Sequence, residues 1–358
     1  MRILSIVTQL ESGGAQTVAL QLHRAFLDRG HESKLIFLYE KDTAAFPRRD
    51  YESVLPHRVR SPVDSTRLLF KLWSSWQRYS PQVVIAHSHY SNNLAAMMKA
   101  VGLSGKLFPV HHNVYESYPR VSRLLDIVAR RLRLYQREIA VSDAVSDSLR
   151  RDAPLADAVT ILNGLKLAPS TMGRNAARVS FGLPEHGFLI GNIGRLAEQK
   201  NQGFLVDLLP EIDGAHVAIL GEGHLRDALL ERAERLGVAN RLTLVGAVVH
   251  ERVPDFLRAL DVFAMPSLFE GLSIAMLEAF VAGVPFVGHD VRSIAAVTAD
   301  SAGLVLPLDH HAWITALRRI RDDEEYARHM SNRQILRAGD FTLDAMTDRY
   351  LALLGVQS

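Results

Sequence analysis

Two glutamates in the second half of the chain have a spacing that suits ligand chemistry. Glu270 is followed directly by Gly271, and Glu278 lies after seven intervening residues, inside an apolar run that ends in a Gly-Val-Pro sequence. The run predicts a helix, because glycine and then proline commonly end helices. A helix beginning just after Glu270 would point the backbone N–H groups of Gly271, Leu272 and Ser273 at an anion such as a phosphate.

Glu278 would lie about 12 Å along such a helix, at about 1.5 Å per residue. Its neighbours in the sequence are apolar, so a buried Glu278 carboxylate would need a polar partner. Taken alone, two glutamates on a helix most often form a solvated surface. The choice between that interpretation and a ligand site therefore depends on the rest of the chain.

A pair of cations follows an apolar strand predicted over residues 188–194. Arg195 and Lys200 lie between this strand and the next predicted helix. Either residue alone would be an ordinary surface charge. Two fixed cations at the end of a strand could instead neutralise a diphosphate.

The start of the chain predicts a third phosphate-type turn. An apolar strand over residues 2–7 breaks at Thr8 and Gln9 and is followed by Gly13 and Gly14, and then by a helix over residues 17–29. A strand, a glycine turn and a helix form the phosphate approach of doubly wound α/β folds. The pattern is not Gly-x-Gly-x-x-Gly, which disfavours a nicotinamide dinucleotide site. A purely structural tight turn is the alternative.

Histidines follow two further predicted strands. His87 and His89 come after residues 83–86, and His111 and His112 come after residues 108–110. Side chains at the carboxyl ends of parallel strands point into the crevice where such sheets bind ligands. A zinc site is disfavoured because no paired carboxylate ligand and no His-Glu-x-x-His accompany them. A capping or structural role is the alternative for His87 and His89.

The order of elements predicts an α/β fold with two parallel sheets, because strands and helices alternate in both halves. A polar segment over residues 168–182 suits a linker. In the second half, a Gly-x-Gly turn begins at Gly221, and a loop over residues 247–251 includes Val248. The last predicted helix, 343–354, is amphipathic.

Composition limits the function classes. A chain of 358 residues suits two domains, and the absence of cysteine removes disulfides, thiol nucleophiles and thiolate metal sites. Residues 1–165 carry 22 Lys and Arg against 15 Asp and Glu, a net charge of +7, and the remainder carries 19 against 24, a net charge of −5. The basic first half suggests an anionic surface or acceptor. No apolar run could span a bilayer, and the first strand is too short for a signal-peptide core. We therefore expect a cytoplasmic protein.

A basic segment over residues 120–137 alternates arginines, among them Arg130, with apolar residues at helical spacing. Such an amphipathic helix can lie on an anionic membrane or bind an anionic acceptor. Peripheral contact with the inner face of a membrane is one interpretation, and a solvated helix surface is the other.

These motifs together resemble those of the retaining glycosyltransferases of family 4. The Glu-x7-Glu motif at 270 and 278 and the Gly-Arg-Leu-x-x-Gln-Lys-Asn string over 194–201 carry the resemblance, which extends over nearly the whole chain. It implies a GT-B fold, in which two doubly wound Rossmann-like domains face an interdomain cleft. Residues 1–165 would be the acceptor-binding domain with helix 343–358 packed back on it, and 166–342 the donor-binding domain.

The resemblance also implies roles for individual residues. Glu270 would meet hydroxyls of the donor sugar, the amides of Gly271, Leu272 and Ser273 the diphosphate, and Glu278 the ribose. Arg195 and Lys200 would bind the diphosphate, which Gly13 and Gly14 would approach. His112 would contact the sugar near the reacting carbon, with His111 as a register alternative. Gly221 would lie in the family's Gly-x-Gly turn, and backbone groups around Val248 would cradle the nucleobase.

The implied reaction moves a sugar from a nucleotide diphosphate, by family frequency UDP, to a hydroxyl of a glycan or lipid-linked acceptor with retained anomeric configuration. The leaving phosphate would help to deprotonate the acceptor. Such enzymes serve envelope polysaccharide or glycoconjugate synthesis. No Asp-x-Asp occurs, so we expect no metal and no other cofactor.

Two rival functions remain at this point. One is a nucleotide-sugar epimerase on the same fold, for which Glu11 and Glu116 are the first-half acid/base candidates. The other is a non-catalytic partner subunit, which the intact motifs disfavour. Nucleic-acid binding is disfavoured because no aromatic stacking platform accompanies the basic residues.

Overall fold

The computed structural model describes residues 1–11, 13–41, 46, 48–166, 168–298 and 302–355. The chain divides into two compact units. Unit 1 comprises Met1–Gly164 with Thr342–Ser358, and unit 2 comprises Leu165–Phe341. Each unit is an α/β domain with one parallel sheet, so the predicted fold class of two Rossmann-like domains is confirmed.

Unit 1 has a seven-stranded parallel sheet in the order β3-β2-β1-β4-β5-β6-β7 over its described residues. Apolar side chains fill both faces of the sheet, among them the fully buried Trp76 and Phe37. The strands are β1 (Arg2–Leu10), β2 (Glu32–Glu40), β3 (Glu52–Leu55), β4 (Val83–His87), β5 (Lys106–His111), β6 (Glu138–Ala140) and β7 (Ala158–Thr160). The helices are α1 (Gly14–Asp28), α2 (Pro62–Tyr79), α3 (His89–Ala100), α4 (Arg120–Arg131), α5 (Asp143–Asp152) and α14 (Leu343–Leu354).

Strand β1 is longer than the predicted 2–7, and α1 begins earlier than the predicted residue 17. Gln9 and Leu10 continue the parallel ladder with Tyr39 and Glu40 of β2. The polar residues Thr8 and Gln9 therefore do not end the strand, because the backbone hydrogen bonds to β2 do not depend on the side chains. Gly14 is the first residue of α1, so only Gly13 precedes the helix as its N-cap.

Unit 2 has a six-stranded parallel sheet in the order β10-β9-β8-β11-β12-β13 over its described residues. Its strands are β8 (Phe188–Ile193), β9 (Ala215–Leu220), β10 (Leu242–Gly246), β11 (Val262–Met265), β12 (Phe286–His289) and β13 (Leu304–Leu306). Its helices are α6 (Arg174–Ser180), α7 (Gly203–Leu208), α8 (Arg226–Arg235), α9 (Val253–Ala259), α10 (Ile274–Val281), α11 (Arg292–Val297), α12 (His310–Asp322) and α13 (Glu324–Ala338).

The polar segment 168–182 is not a simple linker, because it contains α6. The buried Arg178 anchors this helix to the sheet through Asp261, whose Oδ2 lies 2.7 Å from its Nη2. Polar composition suggested a loop, whereas the charges form an internal ion pair that only the fold brings together.

Both sheets reverse their strand order at one point. The reversal falls between β1 and β4 in unit 1 and between β8 and β11 in unit 2. Ligands of open parallel sheets bind outside the carboxyl ends of the strands at such a switch point. The loops after β8 and β11 contain Lys200 and Glu270. In unit 1, Gly13 lies in the turn after β1, and His89 begins the helix that follows β4.

Helix α14 closes unit 1 by packing against α1. The Phe26 and Tyr350 rings meet edge to face at 6.5 Å, and Arg29 lies 3.1 Å from Asp344. A Cβ at Gly164 would lie 2.0 Å from the Thr342 carbonyl oxygen, so the segment leading into α14 passes against a backbone that only glycine permits.

The basic segment 120–137 is an α-helix only as far as Arg131. Arg130 was expected on its basic surface, but the side chain is buried and bound to Asp126 and Glu138. The expectation was wrong for Arg130 because its partner Glu138 begins β6, beyond the helix. Among the described residues, no helix is both long and apolar enough to cross a bilayer.

Candidate functional site

The centre of the unit 2 site is an ion pair between two residues that the sequence singled out separately. Lys200 Nζ lies 2.6 Å from Glu270 Oε1, and the side chains are 16% and 7% exposed. Lys200 follows β8 and Glu270 follows β11, the two strands at the switch point. The fold thus places a cation and a carboxylate side by side where a doubly wound sheet binds its ligand.

Hydrogen bonds join the loop after β8 to the loop after β11 on both sides of this pair. Gln199 Nε2 donates to the Phe269 carbonyl oxygen at 2.9 Å, and its own carbonyl accepts from Leu268 N at 2.8 Å. Asn201 Nδ2 donates to the Pro266 carbonyl oxygen at 3.3 Å. Gln199 and Asn201 belong to the motif that suggested the site, but their role in fixing one loop on the other was not predicted.

Glu270 lies before the helix rather than at its first turn. Helix α10 begins at Ile274 with Ser273 as its N-cap, so the predicted 12 Å helical separation from Glu278 does not apply. Gly271, Leu272 and Ser273 are buried in the connection between them. Ser293 Oγ donates to the Glu270 carbonyl oxygen at 3.0 Å, which fixes this connection against α11.

Glu278 lies on α10 with its carboxylate buried. Burial raises the pKa of Glu278 to about 8, because a charged carboxylate loses hydration there. Nδ1 of His250 lies 3.5 Å from Glu278 Oε1. The sequence pointed to the loop containing His250 but not to this histidine, since nothing in the spacing relates positions 250 and 278.

The remaining predicted residues of unit 2 line the same ends of the strands. Arg195 is exposed at the start of the loop after β8, and Val248 is half-buried after β10. Gly221 has a φ of +139°, and a Cβ there would lie 2.2 Å from the Gly194 carbonyl oxygen. Its N–H donates to the Gly246 carbonyl oxygen at 2.9 Å. Gly221 therefore lets two backbone segments approach closely.

The glycine turn of unit 1 is packed by a glutamine. A Cβ on Gly13 would lie 2.7 Å from Oε1 of Gln16, which folds over it. Gln16 Nε2 donates to the Gln9 carbonyl oxygen at 3.2 Å, and Thr17 N donates to the Gly13 carbonyl oxygen at 2.9 Å. The turn thus holds Gly13 at the carboxyl end of β1.

His111, the register alternative, belongs to a buried network of charges. Its Nε2 lies 2.8 Å from Glu138 Oε2, and Arg130 donates to both Glu138 oxygens at 2.8 Å. Arg130 also binds Asp126 at 2.5 Å. Burial alone would raise the pKa of Glu138, but hydrogen bonds from Arg130 and His111 outweigh it and lower that pKa to about 2. A side chain so engaged is poorly placed to meet a sugar.

His111, Asp126 and Glu138 also lie close enough together to be considered as metal ligands. Arg130 already donates to both carboxylates, however, and supplies the positive charge that a metal would bring. We therefore interpret the group as an ion-pair network.

His112 follows β5 and is partly exposed, unlike its neighbour. Its Nε2 lies 3.1 Å from Nδ1 of the fully buried His87, and the two rings stack. Burial, followed by the neighbouring His87 and His111, lowers the pKa of His112 well below its ordinary value. Of the two candidates, His112 is thus the one that can reach a ligand, as a neutral imidazole.

The carboxylates proposed for the epimerase alternative are both held in ion pairs. Glu11 Oε2 lies 2.7 Å from Lys41 Nζ, and Glu116 Oε1 lies 2.9 Å from Arg151 Nη2. Neither contact joins the two acids into the facing pair that two-sided proton transfer would use.

Comparison with known proteins shows that two glycosyltransferase families match this chain, and the two matches together cover most of it. The description "Glycosyltransferase Family 4" matches residues 12–168, and "Glycosyl transferases group 1" matches residues 187–323. The resemblance inferred from the motifs is therefore confirmed.

Two curated relatives illustrate the range of the match. The 2-deoxystreptamine N-acetyl-D-glucosaminyltransferase of Streptomyces fradiae is 28% identical over 344 residues, which cover 82% of this chain and 78% of that protein. The UDP-Gal:alpha-D-GlcNAc-diphosphoundecaprenol alpha-1,3-galactosyltransferase of Escherichia coli is 26% identical over 290 residues, covering 74% and 72%.

Solved structures support the fold. The HepE protein of Anabaena, crystallised with UDP and glucose, superposes with a TM-score of 0.86 at 18% identity and full coverage of both chains. The lipopolysaccharide glycosyltransferase WaaG superposes with a TM-score of 0.75 at 15% identity, covering 99% of this chain and 100% of that one. At these identities the likeness establishes the GT-B fold alone.

Proposed function

Because this chain belongs to the group 1, family 4 glycosyltransferases, we propose that it transfers a sugar from UDP to a hydroxyl of a glycan or lipid-linked acceptor with retention of configuration. The observation that carries the proposal is the Lys200–Glu270 pair at the switch point of unit 2. A nucleoside diphosphate sugar presents a dianion beside neutral hydroxyls, and this pair offers a matching cation beside a carboxylate.

Lys200 and Arg195 neutralise the diphosphate in this scheme, and the backbone of Gly271, Leu272 and Ser273 approaches it. Charge that develops on the leaving phosphate is stabilised by groups that the two joined loops hold in place beforehand. Glu270 orients the sugar through its hydroxyls. These cations replace a divalent metal, in keeping with a sequence that has no Asp-x-Asp.

The remaining donor contacts in this proposal are those that the family resemblance implies. Glu278 accepts hydrogen bonds from the ribose, and the loop with Val248 and His250 holds the uracil. UDP is preferred here because HepE was crystallised with UDP and the Escherichia coli relative is named for UDP-galactose. Hydrogen bonds from the ribose hydroxyls favour the charged form of Glu278, whose pKa burial otherwise raises to about 8.

Transfer needs no dedicated protein base. The departing phosphate oxygen takes the proton of the acceptor hydroxyl on the same face of the sugar, which leaves the anomeric configuration unchanged. His112 and Glu270 position the sugar during this step, so their contribution is orientation and charge stabilisation.

The acceptor side of the proposal rests on α4, which exposes its apolar residues. Val121, Leu124 and Leu132 are each at least 59% exposed, while Asp126 and Arg130 point inward and bind each other. Leu125 and Val128 are also exposed there, beside three exposed arginines: Arg120, Arg131 and Arg133. An outward surface of apolar and cationic side chains suits an anionic membrane, where a lipid-linked acceptor resides.

A cavity next to this surface also suits a lipid-linked acceptor. It has a volume of about 300 Å³, lies between α2, α3 and α4, and is lined mainly by Leu68, Leu69, Leu94, Met97, Val121 and Leu125. We therefore propose that the protein works on the inner face of a membrane, in envelope polysaccharide or glycoconjugate synthesis.

The test is a melting-temperature screen of the purified protein against UDP, GDP, ADP, CMP and their common sugar conjugates, without added metal. UDP at 100 times its Kd should stabilise the protein by about 2.7 kcal/mol. Glu278→Gln should weaken that shift, and Glu324→Gln, on the surface of the same unit, should not.

A UDP-sugar that shifts the melting temperature is then incubated with candidate acceptors, and the anomeric proton of the product is read by NMR. The expected product retains the donor's configuration. A stronger shift with another nucleotide would overturn the choice of UDP, an inverted product would overturn retention, and binding without turnover would favour the non-catalytic subunit.

A further inference from the structure

His87 and His112 form a hydrogen-bonded pair at the carboxyl ends of two adjacent strands. His87 is the last residue of β4 and pairs with Val110 of β5, two residues before His112. The ring centroids are 5.3 Å apart with planes 28° from parallel, and His87 Nδ1 lies 3.1 Å from His112 Nε2. His87 has no exposed surface, whereas His112 is partly exposed.

A hydrogen bond between two imidazoles needs one N–H donor and one bare nitrogen. Burial lowers the pKa of His87 to about 3, and burial with the neighbouring histidines lowers that of His112, so both rings are neutral near pH 7. Each ring then carries a single proton. The direction of this one hydrogen bond therefore determines which nitrogen of His112 is protonated.

The surroundings of His87 decide between the two directions. If His112 were the donor, His87 would carry its proton on Nε2, which is buried without a hydrogen-bond partner in the described part of the chain. If His87 Nδ1–H is the donor, Nε2 of His87 is a bare acceptor nitrogen without a partner. A buried N–H group without a partner is rarer than a buried acceptor without one. His87 therefore donates and His112 accepts at Nε2.

We propose that His87 is a positioning residue that holds His112 in the Nδ1–H tautomer, so that His112 meets the donor sugar as a hydrogen-bond donor and not as a base. This inference rests on the proposed function for the role of His112. It agrees with a mechanism in which the leaving phosphate takes the acceptor proton, because an imidazole fixed as a donor does not compete for it.

The turn after His87 restricts the ring further. Ser88 has φ +76° and ψ 155°, a conformation that residues other than glycine rarely adopt. Ser88 N donates to the Val110 carbonyl oxygen at 3.0 Å, and the Ser88 carbonyl accepts from Asn92 N at 2.9 Å. The backbone next to His87 is thus fixed to β5, the strand that ends directly before His112.

Two substitutions separate the hydrogen bond from simple packing. In His87→Asn the side-chain amide nitrogen can take the place of Nδ1 and keep the donor, whereas His87→Leu removes it. We expect His87→Leu to lower kcat about tenfold to hundredfold, the range found when metal-bound histidines lose a supporting hydrogen bond, with an unchanged KM for the sugar donor. His87→Asn should stay within a few-fold of the unsubstituted protein.

The tautomer itself can be measured without substrate, by ¹⁵N NMR of histidine-labelled protein with His112 assigned from the His112→Gln spectrum. We expect Nδ1–H for His112 in the unsubstituted protein and in His87→Asn, and an increased Nε2–H population in His87→Leu. An Nε2–H tautomer in the unsubstituted protein, or equal losses of kcat in both variants, would overturn the inference. Failure of the proposed function would appear separately, as absent nucleotide binding with the tautomer intact.

Discussion

Each unit of this protein holds a group of buried charges near its sheet, and the two groups differ in how fully the charges are satisfied. In unit 1, Glu138 accepts from Arg130 and His111, and Arg130 also binds Asp126, all with buried side chains. In unit 2, Lys200 reaches Glu270 through one contact and keeps 16% of its side chain exposed.

The difference separates a structural network from a ligand site. A network whose carboxylates are already hydrogen-bonded to buried donors gains little from a ligand and loses much when one member is removed. A lysine that still reaches solvent can bind a second anion while it holds its carboxylate. The same chemical types thus bind one another in unit 1 and remain accessible to the proposed sugar donor in unit 2.

The strongest test of this comparison makes the same change, glutamate to glutamine, in both groups. Glu138→Gln leaves Arg130 buried with Asp126 alone, and we expect it to lower the free energy of unfolding by about 3–5 kcal/mol. Urea unfolding measures this loss. Arg137→Met, which removes an exposed partner of Asp157, should leave the unfolding midpoint nearly unchanged.

The Glu138 effect should also depend on pH in a defined direction. Its pKa falls from 4.5 to about 2 on folding, so the stabilisation is complete above about pH 4.5 and is lost as pH falls toward 2. The stabilities of Glu138→Gln and the unsubstituted protein should therefore converge in acid. If Glu138→Gln kept its stability but lost turnover, the network in unit 1 would be catalytic and the comparison would fail.

The second prediction applies the matching change to unit 2. Glu270→Gln keeps the shape of the side chain but removes the charge next to Lys200, and we expect kcat to fall about 10²- to 10³-fold because an oriented electrostatic contact to the sugar is lost. Steady-state kinetics with a UDP-sugar measure the effect. Stability should change less than in Glu138→Gln. Glu324→Gln serves as the surface control, and near-normal turnover in Glu270→Gln would reject the site.

Much of the fold, and the residues that meet in the candidate site of unit 2, could be predicted from the sequence. Buried parallel strands are short apolar runs, and the motif residues after β8 and β11 mark the ends of such runs. Lys200 and Glu270 were assigned to the same ligand although 70 positions separate them. Their direct contact depends on β8 and β11 being neighbours, and strand order is not encoded in any local pattern.

The prediction was wrong for the position of the Arg130 side chain. The sequence placed Arg130 among the arginines of a basic amphipathic helix, with a solvated helix surface as the alternative. Arg130 lies inside because Asp126, one turn earlier, and Glu138, at the start of β6, together compensate its charge. A helical period cannot identify a partner that lies on another element, and for the same reason His250 beside Glu278 was missed.

The weakest expected effect concerns the outer surface of α4, from which the buried network of Arg130, Asp126 and Glu138 removes two charged side chains. Because Asp126 and Arg130 bind each other inside, α4 exposes apolar residues and arginines, and we expect it to bind vesicles that contain phosphatidylglycerol. Arg131→Gln should weaken vesicle binding about fivefold, since one cation near an anionic membrane contributes about 1 kcal/mol. Co-sedimentation at low and high salt measures this change, and salt should reduce binding because it screens the arginines. Leu336→Ser, which changes an exposed apolar residue of unit 2, should have no effect. Equal losses in both variants would mean that the protein adheres nonspecifically, and α4 would then be a solvated helix.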